Sequence, residues 1–246
     1  MASSEMVRAC ADALLAIVLA PACAACNEPL DAPTRGAVCD ACWRRVVPMS
    51  PPLCDGCAEP LASWRTLSLE QGRCPRCRRR APAIVRARSI GAYDGALRTI
   101  VHAFKYDGRR SLAAPLAALM RQHGSEVLAG ADLAVPVPLH RSRLRHRGFN
   151  QAADLARRLG IPSRHALRRT RATPSQTDLP ASRRHANVRD AFALRRRAGV
   201  ADRTIVLVDD VSTTGATLEA CARVLLAAGA RQVRALTAAR AVSRPR

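Results

Sequence analysis

The sequence predicts an α/β fold: a mostly parallel sheet flanked by helices, preceded by a small cysteine-rich module. Three observations carry that expectation. Strand-length apolar runs alternate with helical periodicity through the second two-thirds of the chain, the pattern of successive βα units. One of these runs, Ile205-Val206-Leu207-Val208, ends in Asp209-Asp210, passes through a hydroxyl-rich turn closed by Gly215, and enters a helical pattern at Leu218, Cys221, Val224 and Leu225. Eight of the ten cysteines fall in Cys-x-x-Cys pairs before residue 80.

The 246 residues suffice for one large or two modest domains with a real core. The formal net charge is +21, carried by thirty-nine arginines and a single lysine. Such a balance favours phosphates, nucleic acid or an acidic partner. Aromatic content is only 3%, which argues against a platform of stacked rings for single strands.

From the N-terminus, residues 6–20 read as a docking helix. The stretch Ala22-Cys23-Ala24 imitates a signal-peptidase site, but cleavage there would remove Cys23 and destroy the first cysteine pair. Asp12 also interrupts the apolar run, so a cytoplasmic protein is expected, and no stretch is long enough to span a membrane. The pairs Cys23/Cys26, Cys39/Cys42, Cys54/Cys57 and Cys74/Cys77 are separated by twelve, eleven and sixteen residues, which suits two structural Zn²⁺ sites of four thiolates each. All-thiolate sites leave no open coordination position, so the metal is structural rather than catalytic. Sequential sharing joins first with second and third with fourth; cross-bracing joins first with third and second with fourth. Smaller loops close at lower entropic cost, which favours the sequential arrangement. Cys10 and Cys221 lie among apolar residues and are expected in the core.

The join Arg78-Arg79-Arg80-Ala81-Pro82 marks a boundary between residues 1–80, an N-terminal helix plus double zinc ribbon, and a second domain over 83–246. That domain opens with a strand near 85–93 and a helix whose apolar face is Leu97, Ile100, Val101 and Phe104. Lys105, the lone lysine, marks a place where a compact ammonium suits better than a planar guanidinium. A helix over 111–123 and a strand over 132–137 follow. The segment from His140 to Gln151, with Arg141, Arg143, Arg145 and Arg147, reads as a basic loop at a strand's end, placed to neutralise a phosphorylated ligand. Residues 170–192 are polar and long for a loop, the mark of a lid, and 232–239 read as a last buried strand.

The turn after Asp210 has a chemical use. Backbone N–H groups at a helix start, with the hydroxyls of Ser212, Thr213, Thr214 and Thr217, offer donors to a phosphate, and Gly215 and Ala216 bring little bulk near it. Asp209 and Asp210 would repel phosphate, so they suit vicinal hydroxyls or a divalent cation. A sugar diol and its phosphate then lie side by side.

Four aliphatics followed by Asp-Asp-x-x-Thr-Thr-Gly-x-Thr resemble the phosphoribosyl pyrophosphate (PRPP) motif of type I phosphoribosyltransferases. The whole chain resembles the ComF family, on the four cysteine pairs, Phe104-Lys105-Tyr106-Asp107-Gly108, Val135-Pro136-Val137-Pro138-Leu139, Arg147-Gly148-Phe149-Asn150-Gln151, Thr173-Pro174-x-Gln176-Thr177, Asn187-Val188-Arg189 and the Asp209-Asp210 loop. The resemblance implies a type I phosphoribosyltransferase-like domain behind a double zinc ribbon, acting in natural competence, with PRPP and Mg²⁺ as ligands. It implies Asp209 and Asp210 on the ribose hydroxyls, Ser212 to Thr217 on the 5′-phosphate, and Arg143, Arg147 and Lys105 as candidates to stabilise departing pyrophosphate; Asp209, Asp210, Lys105 and Arg147 are the catalytic candidates of a pentosyltransferase. The alternative is a non-catalytic PRPP-sensing adaptor that binds single-stranded DNA or a competence helicase. The segment Leu179-Pro180-Ala181-Ser182-Arg183-Arg184 keeps only part of the family's lid motif. Thr213 stands where purine enzymes of the hypoxanthine type carry an Asp, which disfavours a 6-oxopurine acceptor.

Overall fold

The computed structural model describes residues 2–61, 72–171 and 190–242. Four parallel strands organise its second part: β1 (Ile84–Ala92), β2 (Leu133–Pro136), β5 (Thr204–Ser212) and β6 (Gln232–Arg240), in the spatial order β1-β6-β5-β2. A short antiparallel pair, β3 (Leu167–Arg169) and β4 (Phe192–Leu194), stands apart from them. Residues 172–189, where the lid and two of the family motifs were expected, lie outside the described residues.

The apolar run of β5 explains the layering. Ile205 and Leu207 point to one face of the sheet and Val206 and Val208 to the other, as strand geometry requires, so both faces need covering. On the first face lies α9 (Ala216–Ala227), whose Leu218, Cys221 and Leu225 pack with Ile205, Leu207 and Val233. Cys221 is therefore in the core as expected. On the second face lie α4 (Gly95–Tyr106) and α5 (Ala113–His123), which bring Ile100, Phe104, Leu116 and Met120 against Val206, Val208 and Leu236.

The cysteine-rich segment does not stand free of this core. Cys23, Leu30, Val38, Cys42 and Val46 belong to the same apolar cluster as Ile90, Leu97 and Phe104. Backbone contact seals the join: Met49 N–H donates to the Ile90 carbonyl at 2.8 Å, and a Cβ on Gly91 would come within 2.5 Å of the Val47 carbonyl oxygen, so only glycine fits. The second half of the segment has its own small cluster of Cys54, Cys57, Cys74 and Cys77, reaches the domain core through Ala58, and is otherwise tied on by polar contacts. Ala87 N–H donates to the Asp55 carbonyl at 2.6 Å, Arg88 meets the Asp55 carboxylate at 3.0 Å, and Arg240 meets Glu59 at 2.6 Å.

Two expectations are corrected. The basic segment is not a loop but a helix, α7 (Arg141–Arg147), started by the His140 ring, which accepts from Ser142 N–H, and ended by Gly148 in the left-handed region at φ 74°. Cys10 is exposed, because α1 (Ala2–Leu19) touches the rest mainly through Asp12, whose carboxylate accepts from Thr34 N–H at 2.7 Å, and leaves residues such as Leu14 and Ile17 on the surface. Among the described residues no helix is long and apolar enough to cross a membrane.

Candidate ligand site and metal centres

Because all four strands are parallel, their carboxyl ends meet on one edge, the usual place for a ligand in an open α/β sheet. There β5 delivers Asp209 and Asp210. Asp210 is 8% exposed and its carboxylate accepts from Val211 N–H at 2.6 Å and pairs with Lys105 Nζ at 2.9 Å. Lys105, at the end of α4, is thus brought to the acidic pair and not to the arginines of α7. Burial pulls its ammonium down, but Asp210 and Asp209 outweigh burial and hold it charged, above the ordinary lysine range. Asp209 is half-buried; burial first, and the Asp210 charge second, push its carboxyl up to about 7 against the pull of Lys105. The pair therefore carries less negative charge than two free carboxylates.

Gly215 caps α9 at φ 76°, and nothing lies within 4 Å of where its Cβ would be. The glycine is needed for the left-handed backbone and leaves open space over the turn. No side chain caps the helix from that position, and the Thr214 hydroxyl accepts from Ala216 N–H at 3.4 Å. An anion at this helix start would gain the remaining first-turn donors.

Helix α7 sorts its arginines by face. Arg143 and Arg147, four residues apart, are half-buried and share an open hollow of about 390 Å³ with Tyr106, Ser142 and His146, while Arg141 and Arg145 face solvent. Arg147 stacks over the Tyr106 ring at 4.8 Å and donates to Gln151 at 3.4 Å, and Gln151 in turn donates to the Lys105 carbonyl at 3.3 Å. Those contacts link the arginine face to the acidic pair.

Sequence reasoning missed two arginines here. Arg169 lies over the Phe192 ring at 5.4 Å; burial and the neighbouring Arg143 charge lower its pKa, while Asp209 draws it the other way. Strand alternation could have found it, since Arg169 shares a face with buried Leu167. Arg240, 1% exposed at the end of β6, holds Glu59 and approaches the Ser212 hydroxyl at 3.5 Å. The strand expected over 232–239 stops one residue short of it.

The cysteines gather as two groups, Cys23/Cys26/Cys39/Cys42 and Cys54/Cys57/Cys74/Cys77, each with its sulfurs within 4.8 Å of one another. The sequential arrangement is the one the chain adopts. Sulfur pairs across the two turns lie 3.9 Å apart (Cys26 and Cys39) and 3.7 Å apart (Cys57 and Cys74), the edge length of a tetrahedron with Zn–S bonds of about 2.3 Å. Backbone N–H groups of Ala25 and Cys39 donate to the Cys23 sulfur, and that of Cys74 donates to Cys54. Burial acts to raise Cys23, but these donors prevail and bring its thiol down to about 6, whereas burial pushes Cys42 up to about 12. Four sulfurs so close cannot all ionise without a cation among them. Both groups fit Zn²⁺ as closed sites.

Comparison with known proteins agrees with this construction. Residues 144–245 match the phosphoribosyl transferase domain family and residues 14–83 the double zinc ribbon domain family. The fold and site therefore define a phosphoribosyltransferase-type domain joined to a double zinc ribbon. The chain is 35% identical to the DNA utilization protein YhgH of Salmonella typhimurium, over 86% of this chain and 93% of that protein. It is 29% identical both to the competence protein F of Haemophilus influenzae (84% and 92% covered) and to the competence protein ComFC of Bacillus subtilis (78% and 79% covered). The chain belongs to the ComF family.

Proposed function

We propose that this protein binds PRPP with Mg²⁺ at the carboxyl edge of the sheet and acts as a phosphoribosyltransferase in the use of incoming DNA. The observation that carries the reading is the junction of β5 and α9, where a partly buried acidic pair adjoins a helix start whose first-turn N–H groups have, among the described residues, only the Thr214 hydroxyl as a side-chain partner. Asp209 and Asp210 accept the ribose hydroxyls and attract Mg²⁺, and Ser212 to Thr217 hold the 5′-phosphate. Mg²⁺, when bound, acts as a Lewis acid on pyrophosphate oxygens. Lys105 keeps Asp210 ionised and fixed, which makes it a positioning residue. Arg143, Arg147 and Arg169 supply positive charge where the leaving group gains negative charge.

The pH dependence tests the acidic pair. A carboxyl raised to about 7 is neutral below that pH and charged above it, so PRPP affinity in the presence of Mg²⁺, which the charged carboxylate attracts, rises as pH increases through about 7. Calorimetry across this range should show the step in the wild type and not in Asp209→Asn, which separates it from titration of the ligand's phosphates. A step of equal size in the variant would remove Asp209 from the site.

A second reading, a nucleic-acid-binding adaptor of cytoplasmic localisation, is supported by the charge of +21 and by the names of the relatives. Arg78 and Arg79 at the end of α3 (Pro75–Arg79) are exposed and are the place to test it. If they bind phosphates, Arg78→Ala with Arg79→Ala weakens single-stranded DNA binding whatever the sequence and lowers the salt slope by roughly 0.7 for each phosphate no longer neutralised. Equal affinities and slopes in a salt series would confine the zinc ribbons to holding the fold or docking a protein such as a helicase.

A further inference from the structure

The end of β6 buries a charge. Among the described residues Arg240 is the bulkiest of the fully buried side chains, and a guanidinium in such a place needs a fixed counter-charge. It finds one in Glu59: Nε and Nη2 both donate to one carboxylate oxygen, at 3.0 and 2.6 Å. The remaining nitrogen, Nη1, approaches the Ser212 hydroxyl at 3.5 Å. One side chain thus touches two segments that are far apart in the sequence.

Both segments border a candidate site. Glu59 follows the third cysteine pair, and its backbone is held inside the metal-ligand turn: its carbonyl accepts from Cys54 N–H at 2.8 Å and its N–H donates to the Cys57 sulfur. The turn therefore sets where the Glu59 carboxylate lies. Ser212 ends β5 and opens the loop proposed to hold phosphate; it pairs with Arg240 in the sheet, and its carbonyl accepts from Ala241 N–H at 2.8 Å. The Arg240 carbonyl accepts from Tyr93 N–H at 2.6 Å, so the arginine is fixed at its backbone as well as at its head.

The sequence puts the second knuckle in a separate domain, whereas the fold stands it over the loop. Between them lies a cavity of about 90 Å³, lined by Cys57 and Arg76 on one side and by Ser212, Thr214 and Gly215 on the other. A space of that size holds water rather than packed side chains. Arg240 connects knuckle and loop by direct contact.

We infer that Arg240 couples the second metal centre to the phosphate loop, so that Zn²⁺ at Cys54, Cys57, Cys74 and Cys77 and a phosphorylated ligand at Ser212 to Thr217 bind with positive cooperativity. The inference rests on the phosphate role of the loop proposed above. With the turn ordered around its metal, Glu59 is fixed, Glu59 fixes Arg240, and Arg240 holds Ser212 where the donors of the loop face the ligand. With the turn released, a buried guanidinium stands unpaired beside the loop and must rearrange. Linkage makes the effect reciprocal: a ligand that holds Ser212 stabilises the metal-ligand turn by the same factor. Arg240 is a positioning residue here, not a group that touches the ligand.

A binding cycle on the full chain tests this. PRPP affinity in the presence of Mg²⁺ is measured by calorimetry on the zinc-loaded wild type and on Cys74→Ser, which lacks the second site. The zinc affinity of the second site is measured by competition with a chelator, with and without PRPP. Both affinities are expected to change by one common factor of about ten, while the zinc affinity of the first site stays the same. Arg240→Met with Glu59→Gln removes the ion pair without stranding a charge; it should keep both zinc ions and bind PRPP, yet bring the factor to about one. Glu59→Gln alone serves where the double variant does not fold, and should lower the factor in the same direction. A pair that only holds the fold together would change melting and leave the factor as in wild type. Wild-type affinities independent of each other overturn the coupling, and a factor undiminished in the variants overturns Arg240 as its carrier. If PRPP does not bind, inorganic phosphate replaces it in the same cycle. Coupling of phosphate to the second zinc would then leave the inference standing and overturn the PRPP reading alone; no phosphate binding, or phosphate affinity indifferent to the second zinc, overturns the coupling as well.

Discussion

Replacing both carboxylates, Asp209→Asn with Asp210→Asn, is expected to abolish PRPP binding while the domain stays folded. The pair sits at the only point where the sheet edge, the Lys105 ammonium and the start of α9 meet among the described residues. Amides keep the shape but lose the charge that attracts Mg²⁺ and exchange one acceptor oxygen of each group for a donor NH₂. Stability should not suffer from the change at Asp209. A carboxyl whose folded-state pKa is raised contributes stability below its ordinary range and loses it as pH rises through about 7, so Asp209→Asn alone should melt no lower than wild type at alkaline pH. The change at Asp210 acts the other way, since it leaves Lys105 buried with less compensation. Lys105→Ala with the double variant then separates binding from stability: it removes the stranded ammonium and should restore melting without restoring PRPP binding. Equal PRPP affinity in wild type and double variant would refute the site.

Removing zinc is expected to cost the whole chain, not only its first 80 residues. Elemental analysis should find two zinc ions per chain, one for each four-cysteine group. Structural zinc in small modules supplies much of their folding free energy, and the first group is continuous with the core beneath α4 and α5. Cys42→Ser should therefore lower the melting temperature by about 10 °C or more, given a shift of about 2–4 °C per kcal/mol in a chain of this size. Cys74→Ser should cost less global stability, because the second group's cysteines form a separate cluster and their module meets the core through ion pairs, backbone hydrogen bonds and the small side chain of Ala58. Its effect should appear at the phosphate loop, through Glu59, Arg240 and Ser212. Differential scanning calorimetry with zinc analysis checks both; equal melting losses would mean that the two knuckles support the core alike.

Local features carried most of the fold in the sequence. The β5 run, its acidic end, the turn at Gly215 and the helix after it are contiguous, and chain sterics and periodicity act over a few residues. Cys-x-x-Cys spacing likewise predicts paired thiolates whatever surrounds them. Even so, periodicity did not reveal α7, since a helix of arginines lacks an apolar stripe and is recognised by its His140 and Gly148 caps.

The sequence by itself determined which groups could bind phosphate, diol and zinc. Tertiary structure alone decided which of them work together. Lys105 meets Asp210 across 105 positions and Arg240 meets Glu59 across 181, distances at which spacing carries no signal. Those meetings follow from the parallel register, which sets Asp209 beside Thr237 and Ser212 beside Arg240, and from the docking of Met49 and Asp55 on β1, which brings the second knuckle over the loop. Register depends on burial of both sheet faces at once, a condition that no single segment contains.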